Sequence, residues 1–258
     1  MLINNWEATY MDFTEEKILR IAEKARELGV ELFVLDDGWF GGRNTEHAGL
    51  GDWVPNRNKL PGGIRGLSEK IEGLGMKFGL WFEPEMVNRD SDLYREHPDW
   101  ILRTPDRPSC HGRFQYVLDF SRKEVVDHVY RMMEKILSDA RISYIKWDMN
   151  RSITECYSAA LPPDRQGEVF HRYILGVYDL YERLTSRFPE VLFESCASGG
   201  GRFDPGMLYY APQAWTSDDT DAVERLKIQY GSSYCYPVSS MGSHVSAVPN
   251  HQLGRTTP

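Results

Sequence analysis

Along the chain, segments with apolar residues at helical spacing alternate with short, continuous apolar runs. This pattern predicts repeating helix and strand units. Thr14 is a suitable N-cap for the first helix, and Gly29 is suited to end it. Between them, the apolar positions follow the 3.6-residue helical period: Ile18, Ile21, Ala22, Ala25 and Leu28. The apolar run 32–35 comes next and is typical of a short buried strand.

The same pattern returns towards the C-terminus. Helices are predicted at 67–74, from Ser121 with Glu124 as a capping box, and at 168–187. Strands are predicted at 3–7, 32–35, 77–82, 115–119, 143–147, 191–195, 214–216 and 235–239. Strands that alternate with helices indicate an α/β fold, and about eight of them favour a closed (β/α)8 TIM barrel that occupies 1–258 as a single domain.

An open doubly wound sheet is the main alternative fold. That fold is expected to carry a glycine-rich phosphate turn after its first strand, whereas the segment 6–10 here contains no glycine. We therefore favour the barrel. The chain ends soon after the last predicted strand, so we expect the closing C-terminal helix to be lacking.

The composition indicates which classes of partner and which cellular compartment to expect. The 30 basic and 38 acidic residues give a net charge of -8, and no basic run is present, which argues against nucleic acid as a partner. The four cysteines form no CxxC pair, and the histidines lack metal-ligand spacing. No leader sequence and no membrane-spanning apolar run is visible. We expect a cytoplasmic protein without a cofactor or metal and without membrane association.

Acidic and aromatic residues concentrate where the predicted strands end. A single aspartate after a strand is commonly a turn or N-cap residue, and we interpret Asp221 in that way. The other members of this set are Asp36, Asp37, Trp39, Trp81, Trp147, Asp148, Asp218 and Asp219. In a barrel, the C-terminal strand ends form one rim. Carboxylates beside aromatic rings suit carbohydrate, and glycosidic cleavage uses two carboxyl groups.

Lys146 and Asp148 lie two positions apart on one predicted strand. Their side chains therefore point to the same side, and Trp147 points to the other. A nearby lysine lowers the pKa of a carboxylate, as a nucleophile requires. The alternative is an ordinary ion pair inside the barrel.

Five segments in order resemble the catalytic domain of glycoside hydrolase family 36 α-galactosidases, and the resemblance runs nearly end to end. They are LDDGWFG at 35–41, WFEPEM at 81–86, KWDMNR at 146–151, ESCASGGGRFD at 194–204 and WTSDDTD at 215–221.

The resemblance implies a retaining α-galactosidase that hydrolyses terminal α-galactosyl residues of oligosaccharides such as melibiose and raffinose. Asp148 would be the nucleophile and Asp218 the general acid/base, with Asp219 as the rival for the second role. Asp36 and Asp37 would bind the 4-OH and 6-OH of galactose. The other implied sugar-binding residues are Trp6, Trp81, Arg113, Lys146, Asn150, Cys196 and Gly199.

The chain departs from the family in one respect. Full-length members carry a large β-sandwich before the barrel and a smaller β-domain after it, and neither is present here. Some members are tetramers, so a homo-oligomer is a possible assembly. Two alternative functions remain: an α-galactosyl transferase of the raffinose or stachyose synthase type, and a galactoside-binding barrel whose active site is incomplete.

Overall fold

The computed structural model describes residues 1–256 and divides the chain into two compact units between Val191 and Leu192. The strands of the first unit are β1 (Leu2–Asn4), β2 (Leu32–Leu35), β3 (Lys77–Phe82), β4 (Met86–Asn88), β5 (Gln115–Val117) and β6 (Tyr144–Trp147). Its helices are α1 (Trp6–Thr9), α2 (Glu15–Glu27), α3 (Gly63–Gly73), α4 (Asp92–Glu96), α5 (Lys123–Asp139) and α6 (Val169–Arg187), with a 3-10 helix at Pro163–Glu168.

The first unit is built on a parallel sheet. Strands β1, β2, β3 and β6 pair side by side in that order, all parallel. Helices α2, α3 and α5 lie in the connections between them. The prediction of a parallel α/β fold is therefore confirmed, and the C-terminal ends of these four strands meet at one edge of the sheet.

The second unit contains the parallel strands β7 (Leu192–Ser195) and β8 (Gln213–Ala214). Its helices are α7 (Pro205–Tyr210) and α8 (Ala222–Ser233), followed by a 3-10 helix at Val238–Ser240. Asp221 is the N-cap of α8, because its carboxylate accepts hydrogen bonds from the backbone of Val223 and Glu224. The structural interpretation of Asp221 is confirmed. The single-domain interpretation of 1–258 stays a prediction.

Local sequence explains where the helices begin and what they bury. The Thr14 hydroxyl accepts the Lys17 backbone N–H at 3.3 Å, which confirms the predicted N-cap of α2. Ile18, Ala22 and Ala25 of the predicted stripe are buried. Leu28 is 75% exposed, because it is already the C-cap residue and has left the buried side of the helix.

Two predicted barrel strands are wrong. The segment predicted at 115–119 forms β5, which pairs antiparallel with β4 in a separate two-stranded sheet, while β3 pairs directly with β6. The segment predicted at 235–239 is not a strand. It leads into the 3-10 helix at Val238–Ser240, because Pro237 fixes its own backbone angle and lacks the N–H that a ladder needs. Only an isolated parallel bridge joins Ala214 to Met241.

Further boundaries differ from the prediction: the helix predicted at 67–74 is Gly63–Gly73, and the strand predicted at 214–216 is Gln213–Ala214. The strand predicted at 3–7 ends at Asn4, and Trp6 begins the short helix α1. The predicted capping box at Ser121 is wrong, because α5 begins at Lys123 with Arg122 as its N-cap. The Ser121 hydroxyl instead donates to the Asp119 carboxylate at 2.5 Å.

None of the helices within residues 1–256 combines the length and apolarity needed to cross a membrane.

Candidate active site

Asp36 lies at the C-terminal end of β2 and is held by side chains from β1 and β6. Its Oδ2 accepts from Lys146 Nζ at 2.9 Å and from Asn4 Nδ2 at 2.6 Å. Its backbone N–H donates to Asn5 Oδ1 at 2.8 Å. The pairing confirms that Lys146 faces this edge of the sheet, and Asp36 is the carboxylate with which it forms an ion pair.

Asp37 is a buried carboxylate with a buried counter-ion. Arg43 donates to both of its oxygens, from Nη2 to Oδ2 at 2.8 Å and from Nε to Oδ1 at 3.0 Å. Burial raises the pKa of Asp37, while the charge of Arg43 acts in the opposite direction. Lys59 fixes the same loop by donating to the carbonyls of Met11, Gly38 and Arg43.

Asp148 follows β6 and is surrounded by hydrogen-bond donors. Its Oδ2 accepts from Trp81 Nε1 at 3.2 Å and from Asn150 Nδ2 at 2.7 Å. Its Oδ1 accepts from the Met149 backbone N–H at 2.8 Å. Side-chain and backbone donors therefore fix the carboxylate in one orientation.

Glu83 lies beneath this segment and is fully buried. The Asn150 backbone N–H donates to Oε1 at 2.5 Å, and Gln115 Nε2 donates to Oε2 at 3.1 Å. Burial and the nearby negative charge of Asp148 raise the pKa of Glu83 to about 8.

The three tryptophans predicted at the strand ends divide into different roles. Trp39 and Trp147 are fully buried core residues, and they present no ring face to a ligand. Trp147 stacks on Tyr181 with ring centroids 4.0 Å apart, which confirms that it points away from Lys146 and Asp148. Trp81 is also buried, but its Nε1 reaches Asp148.

Trp6 is linked to Asp36 through Asn4, whereas Arg113 lies on a separate turn. Trp6 is half-buried at the start of α1, where its backbone N–H donates to Asn4 Oδ1 at 2.8 Å. Arg113 is exposed on the turn before β5, with a φ of 51°. Within residues 1–256 the structure joins the Arg113 side chain to no carboxylate, so its sugar-binding role stays a prediction.

Asp218 lies in the second unit, on the loop between β8 and α8. Its Oδ1 accepts from Trp215 Nε1 at 2.9 Å, and its side chain is exposed. Arg225 is buried and donates to the Ser217 carbonyl at 2.8 Å and to the Gly242 carbonyl at 3.1 Å. The buried guanidinium therefore ties this loop to the segment that follows the 3-10 helix.

Asp219 is engaged in local backbone structure. Its Oδ1 accepts the Asp221 backbone N–H at 2.9 Å, an Asx-type turn that leads into the N-cap of α8. The neighbouring Asp218 carboxylate instead accepts from a ring N–H.

Cys196 and Gly199 follow β7. Cys196 is buried. Gly199 has a φ of +90°, and a Cβ there would lie 2.6 Å from Ser217 Cα and 3.0 Å from the Asp218 backbone nitrogen. The glycine run therefore permits close approach to the backbone that carries Asp218.

Four residues of this arrangement were missed by sequence reasoning: Asn4, Arg43, Glu83 and Arg225. Glu83 stands inside the segment WFEPEM, so its position was marked, but nothing local indicates that its partner is the backbone 67 positions away. Arg43 and Arg225 are single arginines in loop or helix sequence, and only the fold shows that they are buried.

No group of three His, Cys, Asp or Glu side chains among the described residues could hold a metal ion. The absence of a cofactor or metal stays a prediction.

Carboxylates held by lysine, tryptophan and asparagine at the C-terminal ends of parallel strands are typical of the sites of carbohydrate-cleaving enzymes. Comparison with known families defines the class more narrowly. The Melibiase family model matches residues 1–258, and the chain belongs to the Melibiase family.

The relatives carry names that agree with the resemblance. The chain is 62% identical over 255 residues to alpha-galactosidase AgaA of Geobacillus stearothermophilus, and 55% identical over 258 residues to alpha-galactosidase Mel36A of Lactobacillus acidophilus. The matches cover 99% and 100% of this chain and 35% of each relative. The chain thus spans about a third of the length of the curated relatives that it matches.

Solved structures give the same result. The crystal structure of AgaA superposes with a TM-score of 0.98 at 62% identity, covering 100% of this chain and 36% of that one. Two AgaA variants, each with an aspartate replaced, were crystallised with raffinose and with stachyose, and both superpose with a TM-score of 0.98.

Proposed function

We propose that this chain is the catalytic part of an α-galactosidase that hydrolyses terminal α-galactosyl residues with retention of configuration. The observation that carries the proposal is the Asp148 carboxylate, which is held by three N–H donors at the end of a parallel strand. Membership of the Melibiase family and the names of the relatives support it. The complexes of AgaA variants with raffinose and stachyose support α-galactosyl oligosaccharides as substrates.

Asp148 is the proposed nucleophile. Its carboxylate attacks the anomeric carbon and forms a covalent glycosyl-enzyme, while the bond to the leaving oxygen breaks. The donors Trp81 Nε1 and Asn150 Nδ2 both bind Oδ2. They hold the carboxylate in a single orientation, so little reorganisation is needed at the moment of attack.

Asp218 is the proposed general acid/base. It gives a proton to the leaving oxygen and later takes one from the water that releases galactose. Its exposed carboxyl suits this role better than that of Asp219, whose Oδ1 is already bonded to the Asp221 backbone. The spacing of the AgaA variants also supports the pair, since their replaced aspartates lie as far apart along that chain as Asp148 and Asp218 lie here.

Asp36 and Asp37 are the proposed determinants of the galactose configuration. Acceptors that bind the 4-OH and 6-OH together can favour the axial 4-OH of galactose over the equatorial one of glucose. Asp36 is positioned for this by Lys146 and Asn4, and Asp37 by Arg43. Trp6, Trp81, Arg113, Asn150, Cys196 and Gly199 complete the proposed sugar-binding set.

We extend the proposal to a closed (β/α)8 barrel in the complete protein. Its support is the parallel order β1–β2–β3–β6 with intervening helices, together with the parallel pair β7–β8. A crystal structure of the complete protein would test it directly, by showing whether eight parallel strands close into a ring.

Product analysis tests the activity. The complete protein is incubated with raffinose, and the first-formed sugar is followed by proton NMR. We expect α-galactose to appear before it equilibrates with the β-anomer, and we expect no release of glucose from an α-glucoside of the same aglycone. First formation of β-galactose would contradict the retaining mechanism, and equal cleavage of the glucoside would contradict the specificity.

A further inference from the structure

Glu83 is a fully buried carboxyl that the reaction described above does not use. It lies between β3 and β4, and both of its oxygens accept hydrogen bonds. Oε1 accepts the Asn150 backbone N–H at 2.5 Å, and Oε2 accepts Gln115 Nε2 at 3.1 Å. A buried carboxyl is costly unless it is neutral or well bonded, so its presence needs a physical reason.

The Asn150 contact links Glu83 to the nucleophile. Glu83 binds the Asn150 backbone, while the Asn150 side chain donates to Asp148 Oδ2 at 2.7 Å. The segment 148–150 lies beyond the end of β6. The Asp148 backbone N–H still donates to the Phe82 carbonyl at 2.8 Å, which continues the pairing of β6 with β3. The Glu83 carboxyl holds the backbone two positions further on, at Asn150.

Charge at this position is consistent with such a role. Asp148 and Arg43 are the charged groups that act on Glu83, the first raising its pKa and the second lowering it. Burial is the largest cause and raises the pKa to about 8. The charge of Asp148 disfavours a second negative charge beside it, so it acts on the pKa of Glu83 in the same direction as burial.

We propose that Glu83 is a positioning residue for the nucleophile: its buried carboxyl fixes the Asn150 backbone, and Asn150 in turn orients the Asp148 carboxylate for attack. This inference rests on the proposed function and deepens it by assigning the support of the Asp148 side chain.

The test uses two variants of the complete protein at pH 6. Glu83→Gln keeps an oxygen that accepts the Asn150 N–H, whereas Glu83→Met has a similar volume and offers no such acceptor. On p-nitrophenyl α-galactoside we expect Glu83→Met to lower kcat by about 100-fold with a nearly unchanged KM, because a small misplacement of a catalytic group has that effect. Glu83→Gln is expected to restore kcat to within about threefold of wild type, since it keeps the hydrogen bond.

Glu85→Gln is the matched control. Glu85 is an equally buried carboxyl in the same segment, and its Oε1 accepts from Trp147 Nε1 at 2.8 Å. The Tm of Glu85→Gln measures how much stability is lost when a buried carboxyl of this segment is replaced. Glu83→Ala is the second variant without an acceptor, for use if Glu83→Met does not fold.

Two results would overturn the inference: wild-type kcat in Glu83→Met, or equal losses of kcat in Glu83→Met and Glu83→Gln at unchanged Tm. A crystal structure of Glu83→Met tests the positioning of Asp148 independently of activity. We expect the Asn150 Nδ2 to Asp148 Oδ2 distance to exceed 3.5 Å, the limit of a hydrogen bond, and an unchanged 2.7 Å would contradict us. Wild type that releases no nitrophenol would refute the proposed function, while the crystallographic distance would still test the positioning.

Discussion

At the scale of single residues, the arrangement depends on buried charges that are each matched by a specific partner. Arg43 and Asp37 are the clearest case, since both side chains are nearly inaccessible and form a bidentate ion pair. Removing one partner of a buried pair leaves the other charge without compensation. The stability of the Asp37 loop is therefore expected to depend on Arg43.

Arg43→Ala is expected to lower the free energy of unfolding by about 3–5 kcal/mol, because it leaves the Asp37 carboxylate buried and unpaired. Denaturant unfolding of wild type and variant measures the difference. Arg95→Ala is the control, because Arg95 is exposed and its pairs with Asp90 and Asp92 lie in solvent. Exposed pairs contribute at most about 1 kcal/mol, so a similar loss in both variants would contradict the role of Arg43.

Glu83 predicts a pH dependence of stability. Folding raises its pKa from 4.5 to about 8, so between these values the folded state holds a proton that the unfolded chain has released. Stability from this group therefore falls as the pH rises through that window. Glu83→Gln removes the effect, and we expect its stability relative to wild type to increase from pH 4.5 to pH 8. Denaturant unfolding at several pH values measures this, and a constant difference would show that Glu83 does not titrate in this way.

At the scale of elements, two glycines mark places where backbones approach too closely for a side chain. Gly176 lies within α6, and a Cβ there would lie 1.9 Å from the Phe120 carbonyl oxygen. Gly199 lies after β7, and a Cβ there would meet the backbone of Ser217 and Asp218. The first contact concerns helix packing, and the second concerns the loop that carries the proposed acid/base.

Gly176→Ala is expected to destabilise the protein by about 1–3 kcal/mol or more, because the added methyl group forces α6 away from Phe120. Gly73→Ala is the matched control, since Gly73 is also helical and a Cβ there meets nothing within 4 Å. That exchange is expected to be neutral or slightly stabilising, because alanine favours the helix. Equal effects of the two exchanges on Tm would contradict the close packing of α6.

Gly199→Ala is expected to lower kcat by up to about 100-fold, because the methyl group displaces the Asp218 backbone. The positive φ adds strain of about 1–3 kcal/mol, which should also lower Tm. Gly231→Ala in α8 is the control, because a Cβ there meets nothing within 4 Å. Wild-type kcat in Gly199→Ala would show that the loop tolerates the displacement.

The sequence predicts most elements of the sheet, because they are apolar runs bounded by clear signals. Strands β2 and β3 have the predicted bounds, and each follows a glycine that lies just beyond a helix, Gly29 and Gly75. The segment at 115–119 was assigned to the wrong sheet, because apolar pattern alone does not distinguish parallel from antiparallel pairing. Its partner β4 is only three residues long, and nothing in its sequence indicates a strand.

The site was predictable only in part, for a different reason. Asp36, Lys146 and Asp148 follow or end strands, so their place at one edge of the sheet follows from strand order. Arg43, Asn4 and Glu83 bind these residues from loops and neighbouring strands, and such contacts depend on tertiary structure. Trp39 and Trp147 were predicted at the rim because they stand next to aspartates in the sequence. Both are instead fully buried core residues.

At the scale of the whole molecule, the account rests on two aspartates that belong to different compact units, Asp148 in the first and Asp218 in the second. The division of roles between the two aspartates is the central claim, because every other assignment is made relative to it.

Azide rescue tests that claim most directly. The complete protein and its Asp148→Ala and Asp218→Ala variants are assayed on p-nitrophenyl α-galactoside with and without azide, and the products are identified by NMR. We predict that azide restores turnover of Asp148→Ala with β-galactosyl azide as product, because azide attacks from the face that the nucleophile has vacated. Asp218→Ala should give α-galactosyl azide, because azide then opens the glycosyl-enzyme from the opposite face. The reverse pattern of anomers would contradict the assignment. An active wild type whose two variants both give no galactosyl azide would contradict it as well.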